Sequence, residues 1–82
     1  MDGLDKKRKE IDRIDNKIVE LLEKRFDKVK KIIDNKRKNG VLVENLQREK
    51  EIKLKHKDAK LPKGFSDSFF DLLFKEAKKE GF

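Results

Sequence analysis

Arg25 and Lys36 stand inside an apolar stripe, at places where a helix built only to pack would carry leucine. At about 100° per residue, Ile11, Ile14, Ile18, Leu21, Leu22, Val29 and Ile32 fall within an arc of roughly 100°. Arg25 lies near the centre of that arc, and Lys36 returns to within about 20° of it after a rise of roughly 16 Å. Burying an unpaired cation is costly, so either the stems cover the stripe while the heads reach water, or an anion meets the heads. Arg48 and Glu49 extend the set, because they follow Asn45, a residue suited to cap a helix. In the first turn of a helix the unpaired backbone N–H groups favour anions. Arg8 lies roughly 80–100° from Arg25 around the helix. It cannot address the same spot within one chain, but it can reach a site in a neighbouring copy. These cations call for anionic partners, which either the protein supplies or a ligand does. There is no cysteine and a single histidine, His56. That composition offers no thiol chemistry, no disulfide and no ordinary zinc site.

The element that positions the first two cations runs from about residue 4 to residue 38, with helical period throughout and no internal glycine or proline. Asn39-Gly40 stops it. Thirty-five helical residues span roughly 50 Å, whereas a compact monomer of this size has a radius of gyration near 12 Å. The helix therefore overruns its own domain, and a partner subunit is the economical cover for its stripe, a symmetric homodimer being the commonest form. Gly40 to Glu44 reads as a short extended link. Asn45 then caps a second helix of thin apolar content, about residues 45–58, and a loop with the only proline, Pro62, follows. Ser66 is placed to cap a third helix, about residues 66–80, with Phe65 and Phe70 as its hydrophobic staple. Phe69, Phe70, Leu72, Leu73, Phe74 and Ala77 give that helix a broad apolar surface. The sequence predicts one domain over residues 1–82, all-α, with one long and two short helices.

Half of the 82 residues are charged, 34% are hydrophobic, and the net charge is +7. Such a composition alone permits disorder, but the apolar residues are gathered on faces, which argues for folding. The positive balance suits anionic partners. Met1 leads straight into charged residues, and no apolar run is long enough for a signal peptide or a membrane span. The expectation is a soluble cytoplasmic protein without a membrane partner.

The ordered set Arg8, Arg25, Lys36 and Arg48-Glu49 resembles the all-helical chorismate mutases. The stretch from Arg8 through Ile11 and Ile14 to Asp15 opens like the family's first helix, and Leu21-Leu22-Glu23-Lys24-Arg25 matches its central Leu-Leu-x-x-Arg. Lys36 follows at the family's spacing. Arg48-Glu49-Lys50 resembles the Arg-Glu signature of its second helix, and Leu72-Leu73-Phe74 fits the third. The likeness covers nearly the whole chain without a gap. It implies an intertwined homodimeric helical bundle whose long first helices cross between subunits. It also implies a Claisen rearrangement of chorismate to prephenate, towards phenylalanine and tyrosine. Such a pericyclic reaction needs no nucleophile, metal or redox cofactor, only a preorganised site for a flexible dianion. By the same resemblance, Arg25 and Arg48 bind carboxylates and Arg8 reaches in from the other subunit. Lys36 donates to the ether oxygen, and Glu49 takes the ring hydroxyl.

The chain departs from the family pattern at its second and third helices. Asn45 stands where an aspartate is common near the ring hydroxyl, and it keeps hydrogen bonding without charge. Lys78 replaces an apolar wall residue, and Gly81 falls where a small polar residue is usual. The family places a Gln or Glu about four residues after Gly81, beside the ether oxygen, and the sequence stops at Phe82. These departures lead to an expectation of detectable but poor turnover. The competing reading is a basic helical dimer that binds nucleic acid or another anionic surface without catalysis, with Lys6-Lys7-Arg8-Lys9 as its patch. A nucleic-acid binder needs cations along an exposed face, whereas the enzyme needs them converging on a pocket. Arg25 and Lys36 on the apolar arc favour the pocket; a small dianionic substrate, and no nucleic acid, is what the resemblance implies.

Overall fold

The computed structural model describes residues 2–40 and 45–81, with side chains over residues 3–40 and 45–79. The extended link expected from Gly40 to Glu44 lies, beyond Gly40 itself, outside the described residues. Three helices carry the chain: α1 (Asp2–Lys38), α2 (Leu46–Lys55) and α3 (Phe65–Gly81). No strand occurs among the described residues.

Helix α1 continues for 37 residues because nothing within it interrupts the backbone ladder, and it ends where the sequence predicts. Gly40 adopts φ +67°, a left-handed conformation that glycine reaches without a Cβ penalty, and its N–H donates to the Arg37 carbonyl at 3.2 Å. At 1.5 Å per residue, α1 accounts for nearly the whole long axis of the molecule, which measures 58 × 24 × 17 Å. The radius of gyration is 16.4 Å, well above the ~12 Å of a compact chain this long.

Helix α2 starts at Asn45, whose extended backbone (φ −135°, ψ 91°) lets its side-chain oxygen accept the Arg48 N–H at 3.0 Å. His56 closes the other end, with its N–H directed at the Leu54 and Lys53 carbonyls. The helix is shorter than the sequence suggests, and turns carry the chain on to Asp58. Helix α3 begins one residue earlier than expected. The Ser68 N–H donates to the Gly64 carbonyl at 3.2 Å, so Ser66 lies inside the first turn rather than at the cap. The phenylalanine staple differs accordingly. Phe65 stacks on Phe69, with ring centroids 6.1 Å apart, and Phe70 continues the row to Phe74 at 6.2 Å.

Helix α3 packs against both other helices. Two ion pairs cross from α2 to α3: Glu49 with Lys78 at 3.3 Å, and Lys53 with Asp71. The numbers run in opposite directions, so the helices are antiparallel. The acid and base swap sides between the two pairs, which makes only one register complementary. His56 stacked on Phe70 at 5.1 Å falls in the same register.

The apolar core is small. Ile33 and Leu73, each 4% exposed, form it together with Phe74, at the junction of α1 and α3. Ile33 lies at the edge of the α1 stripe, roughly 80° from Arg25, while Ile32 beside it remains exposed. The packing within the chain thus uses one margin of the stripe and the last third of α1. The stripe residues Ile11, Ile14, Ile18 and Leu21 stay 46–61% exposed, as do Leu4 and Val19. Half-exposed aliphatic residues in a row this long make a patch of the kind that marks an association surface.

Candidate functional site

The three helices enclose a cleft of about 210 Å³ beside the core. Its floor and walls are apolar, with Val29, Ile32 and Ile33 from α1, Ile52 from α2, and Phe74 and Ala77 from α3. Into this lining come Arg25 and Lys36 from α1, Asn45 and the Arg48-Glu49 pair from the start of α2, and Lys78 from α3. Five of the six residues singled out from the sequence therefore line one cavity. Their separation along α1 brings this about: eleven residues make almost exactly three turns, so Arg25 and Lys36 share a face while Val29, Ile32 and Ile33 fill the space between. The Asn45 cap does the same for α2, because it fixes the first turn that carries Arg48 and Glu49.

Arg25 is half-buried, and burial pulls its guanidinium below the usual arginine range, with the nearby charge of Arg48 adding to the shift. A guanidinium partly buried in an apolar cleft beside a second cation is a place where anionic charge is favourable. Arg48 is more exposed and pairs with Glu51 at 3.7 Å on its own helix. Asn45 spends its side-chain oxygen on the Arg48 N–H, which leaves its amide NH₂ as the group available to a ligand. Glu49, 19% exposed, is the only carboxylate lining the cleft among the described residues, and it is held by the Lys78 ammonium. Lys36 is half-buried beside Ile33 and shares its interactions with the surrounding protein.

Arg8 does not join this group. It is exposed near the start of α1, about 25 Å along the helix axis from Arg25. Within one chain the cleft contains only the other five. Lys78 was identified in the sequence as a charged substitute in an apolar wall, but its ion pair with Glu49 depends on the antiparallel register of α2 and α3. Nothing in the local sequence around either residue signals it.

Among the described residues the cleft is lined by cations and by no cysteine, serine or histidine, a set whose chemistry suits an anion. The family model described as Chorismate mutase type II matches residues 7–80, and the chain belongs to that family. No curated protein and no solved structure matches the chain. The match begins just before Arg8 and spans all six residues named from the sequence. No helix among the described residues is long and apolar enough to cross a membrane.

Proposed function

We propose that this protein is a chorismate mutase, an isomerase that rearranges chorismate to prephenate in aromatic amino acid biosynthesis, and that it works as an intertwined homodimer in the cytoplasm. The observation that carries this reading is the convergence of Arg25, Lys36 and Arg48 with Glu49 on one apolar-walled cleft. A Claisen rearrangement breaks a C–O bond and forms a C–C bond in one concerted step. The protein has only to compress a flexible dianion into the reactive shape and to stabilise the charge that grows on the ether oxygen.

Each residue has a task suited to its chemistry. Arg25 and Arg48 are planar donors that grip carboxylates in bidentate fashion. Lys36 is a compact point charge, appropriate to an ether oxygen that gains negative charge only in the transition state, so its contribution falls on kcat. Glu49 accepts the ring hydroxyl, and the Asn45 NH₂ donates to the same oxygen. The apolar walls exclude water and strengthen each of these interactions.

The homodimer rests on the exposed stripe. Leu4, Ile11, Ile14, Ile18, Val19 and Leu21 extend along the part of α1 that no other helix of the chain covers. Pairing two such helices across a two-fold axis would bury the stripe and carry Arg8 of one subunit towards the cleft of the other. A second copy would also close the open side of the cleft. This arrangement explains why one chain assembles five of the expected residues and leaves the sixth about 25 Å away.

The test is the absorbance of chorismate followed with purified protein. Loss of chorismate with stoichiometric appearance of prephenate supports the assignment. A folded dimer that leaves chorismate untouched, yet binds a nucleic-acid duplex with a steep salt dependence, would establish the basic interaction module instead.

A further inference from the structure

We propose that Lys78 is a positioning residue of the cleft: its ammonium, carried by α3, holds the Glu49 carboxylate of α2 in the orientation that receives the substrate hydroxyl. The inference rests on the mutase reading of the site and adds a residue to it.

The geometry is specific. Lys78 Nζ lies 3.3 Å from Glu49 Oε2, and both residues line the cleft. Their side chains are 33% and 19% exposed, so the pair is well shielded compared with the chain's local pairs such as Lys31–Asp27 at 69% and 61%. A carboxylate in the first turn of a helix has several rotamers open to it, some directed back at its own backbone N–H groups. Arg25, Lys36 and Arg48 line the same cleft as Glu49. Without a tether from α3, the carboxylate would be drawn to Arg25 or Arg48 and would compete with the ligand for them. The ammonium of Lys78 gives it a partner outside that competition. One oxygen takes the ammonium, and the other can accept a hydrogen bond from a hydroxyl.

The pair also sets the charge of the cleft. Arg25, Lys36, Arg48 and Lys78 carry four positive charges in the cleft lining and Glu49 one negative, a net +3 that favours an anionic ligand. Lys78 offsets Glu49, so the carboxylate can sit in an anion-binding cleft without repelling the ligand.

A merely structural role is the competing explanation, since Lys78 also links α2 to α3. Lys53 provides the control, because it makes the other α2–α3 ion pair, with Asp71, and does not line the cleft. The experiment compares Lys78→Met, Lys78→Gln, Lys78→Arg and Lys53→Met in the dimeric protein. The readouts are chorismate kinetics, calorimetric binding of prephenate (which keeps both carboxylates and the ring hydroxyl) and thermal melting. We expect Lys78→Met and Lys78→Gln to lose about tenfold in kcat/KM and in prephenate affinity. Lys78→Arg should recover most of that loss, and Lys53→Met should stay within about twofold despite a comparable fall in melting temperature. In a Glu49→Gln background, Lys78→Met should have almost no further effect on kinetics, because the group it positions is gone. Equal kinetic losses in Lys53→Met and Lys78→Met, or an undiminished Lys78→Met loss in the Glu49→Gln background, would overturn the inference while leaving the mutase assignment standing. A wild-type protein that neither converts chorismate nor binds prephenate overturns both.

Discussion

Replacing Ile14 by aspartate should separate the two subunits. Ile14 is 57% exposed in the single chain and lies in the middle of the uncovered stripe. Fully burying an aliphatic side chain is worth about 1.5–3 kcal/mol, so the half still in water holds about 1 kcal/mol. The six exposed residues Leu4, Ile11, Ile14, Ile18, Val19 and Leu21 then offer about 6 kcal/mol per subunit and about 12 kcal/mol per dimer. That gross gain has to exceed an association cost of roughly 4–15 kcal/mol, so the margin is narrow. Aspartate removes the aliphatic contribution twice, once per subunit, and adds two carboxylates that must be buried or displaced. At a minimum of about 2 kcal/mol per copy, the dimer weakens by about 4 kcal/mol, a factor of ~10³ in its dissociation constant. Sedimentation equilibrium over a range of concentrations measures this directly, and far-UV circular dichroism on the same samples reports whether helix survives. The monomer keeps only the Ile33, Leu73 and Phe74 core, so it should lose helical signal at micromolar concentration, and mutase activity should vanish with it. A wild-type protein that is a folded monomer at micromolar concentration would refute the argument, as would an Ile14→Asp protein with an unchanged dimer constant.

Further outcomes follow from the site and from its supports. Arg25→Ala should reduce kcat/KM at least ~10³-fold while circular dichroism stays unchanged, because a preorganised cation opposite a carboxylate or growing charge supplies several kcal/mol; unaltered turnover in the folded variant would return Arg25 to the role of a snorkelling side chain. Asn45→Ala should remove the cap of α2 and lower stability by about 1 kcal/mol, seen as a fall of roughly 4–8 °C in melting temperature, whereas Asn45→Asp should keep the cap and the melting temperature. The hydrogen bond and charge of Asp71 raise the Lys53 ammonium above its ordinary value of 10.5. Its contribution to stability is thus complete below that value and is lost as the pH rises through the higher folded value. Urea midpoints should therefore fall in strongly alkaline solution, and Lys53→Met should flatten that part of the profile; an identical alkaline slope in the variant would remove Lys53 as its source. Raising the salt concentration should weaken prephenate binding, through screening of the partly open cation cluster.

The positions of Arg25 and Lys36 were legible in the sequence because a helix has a fixed period. Once α1 is uninterrupted from residue 2 to residue 38, a separation of eleven residues puts two side chains on one face whatever the rest of the chain does. Asn45 was legible for a similar reason: a cap is a local hydrogen bond between neighbours, and it places Arg48 and Glu49 without help from distant residues. The family was legible as a resemblance of the ordered motifs, and the matched region takes in every one of them from Arg8 to Leu72-Leu73-Phe74. The start of α3 was less legible, because Gly64 and Ser66 both suit a helix N-terminus and only the backbone bond from Ser68 to Gly64 decides between them.

Tertiary structure decided what periodicity leaves open. The wheel of α1 does not show which margin of the stripe meets α3. That choice buries Ile33 and leaves Ile32 in water, although the two are adjacent and chemically alike. The pairing of Glu49 with Lys78 across 29 residues is of the same kind, set by the antiparallel register of α2 and α3 rather than by any local preference. The sequence by itself determined three helices, the stop of α1, the cap of α2 and the cation-bearing face of α1, and it carried the resemblance to the family. The tertiary structure determined the cleft, the partner of Glu49 and the extent of the uncovered stripe. Local order is fixed by hydrogen bonds between near neighbours, while a cleft exists only where separate elements meet, and that meeting depends on every side chain along the contact at once.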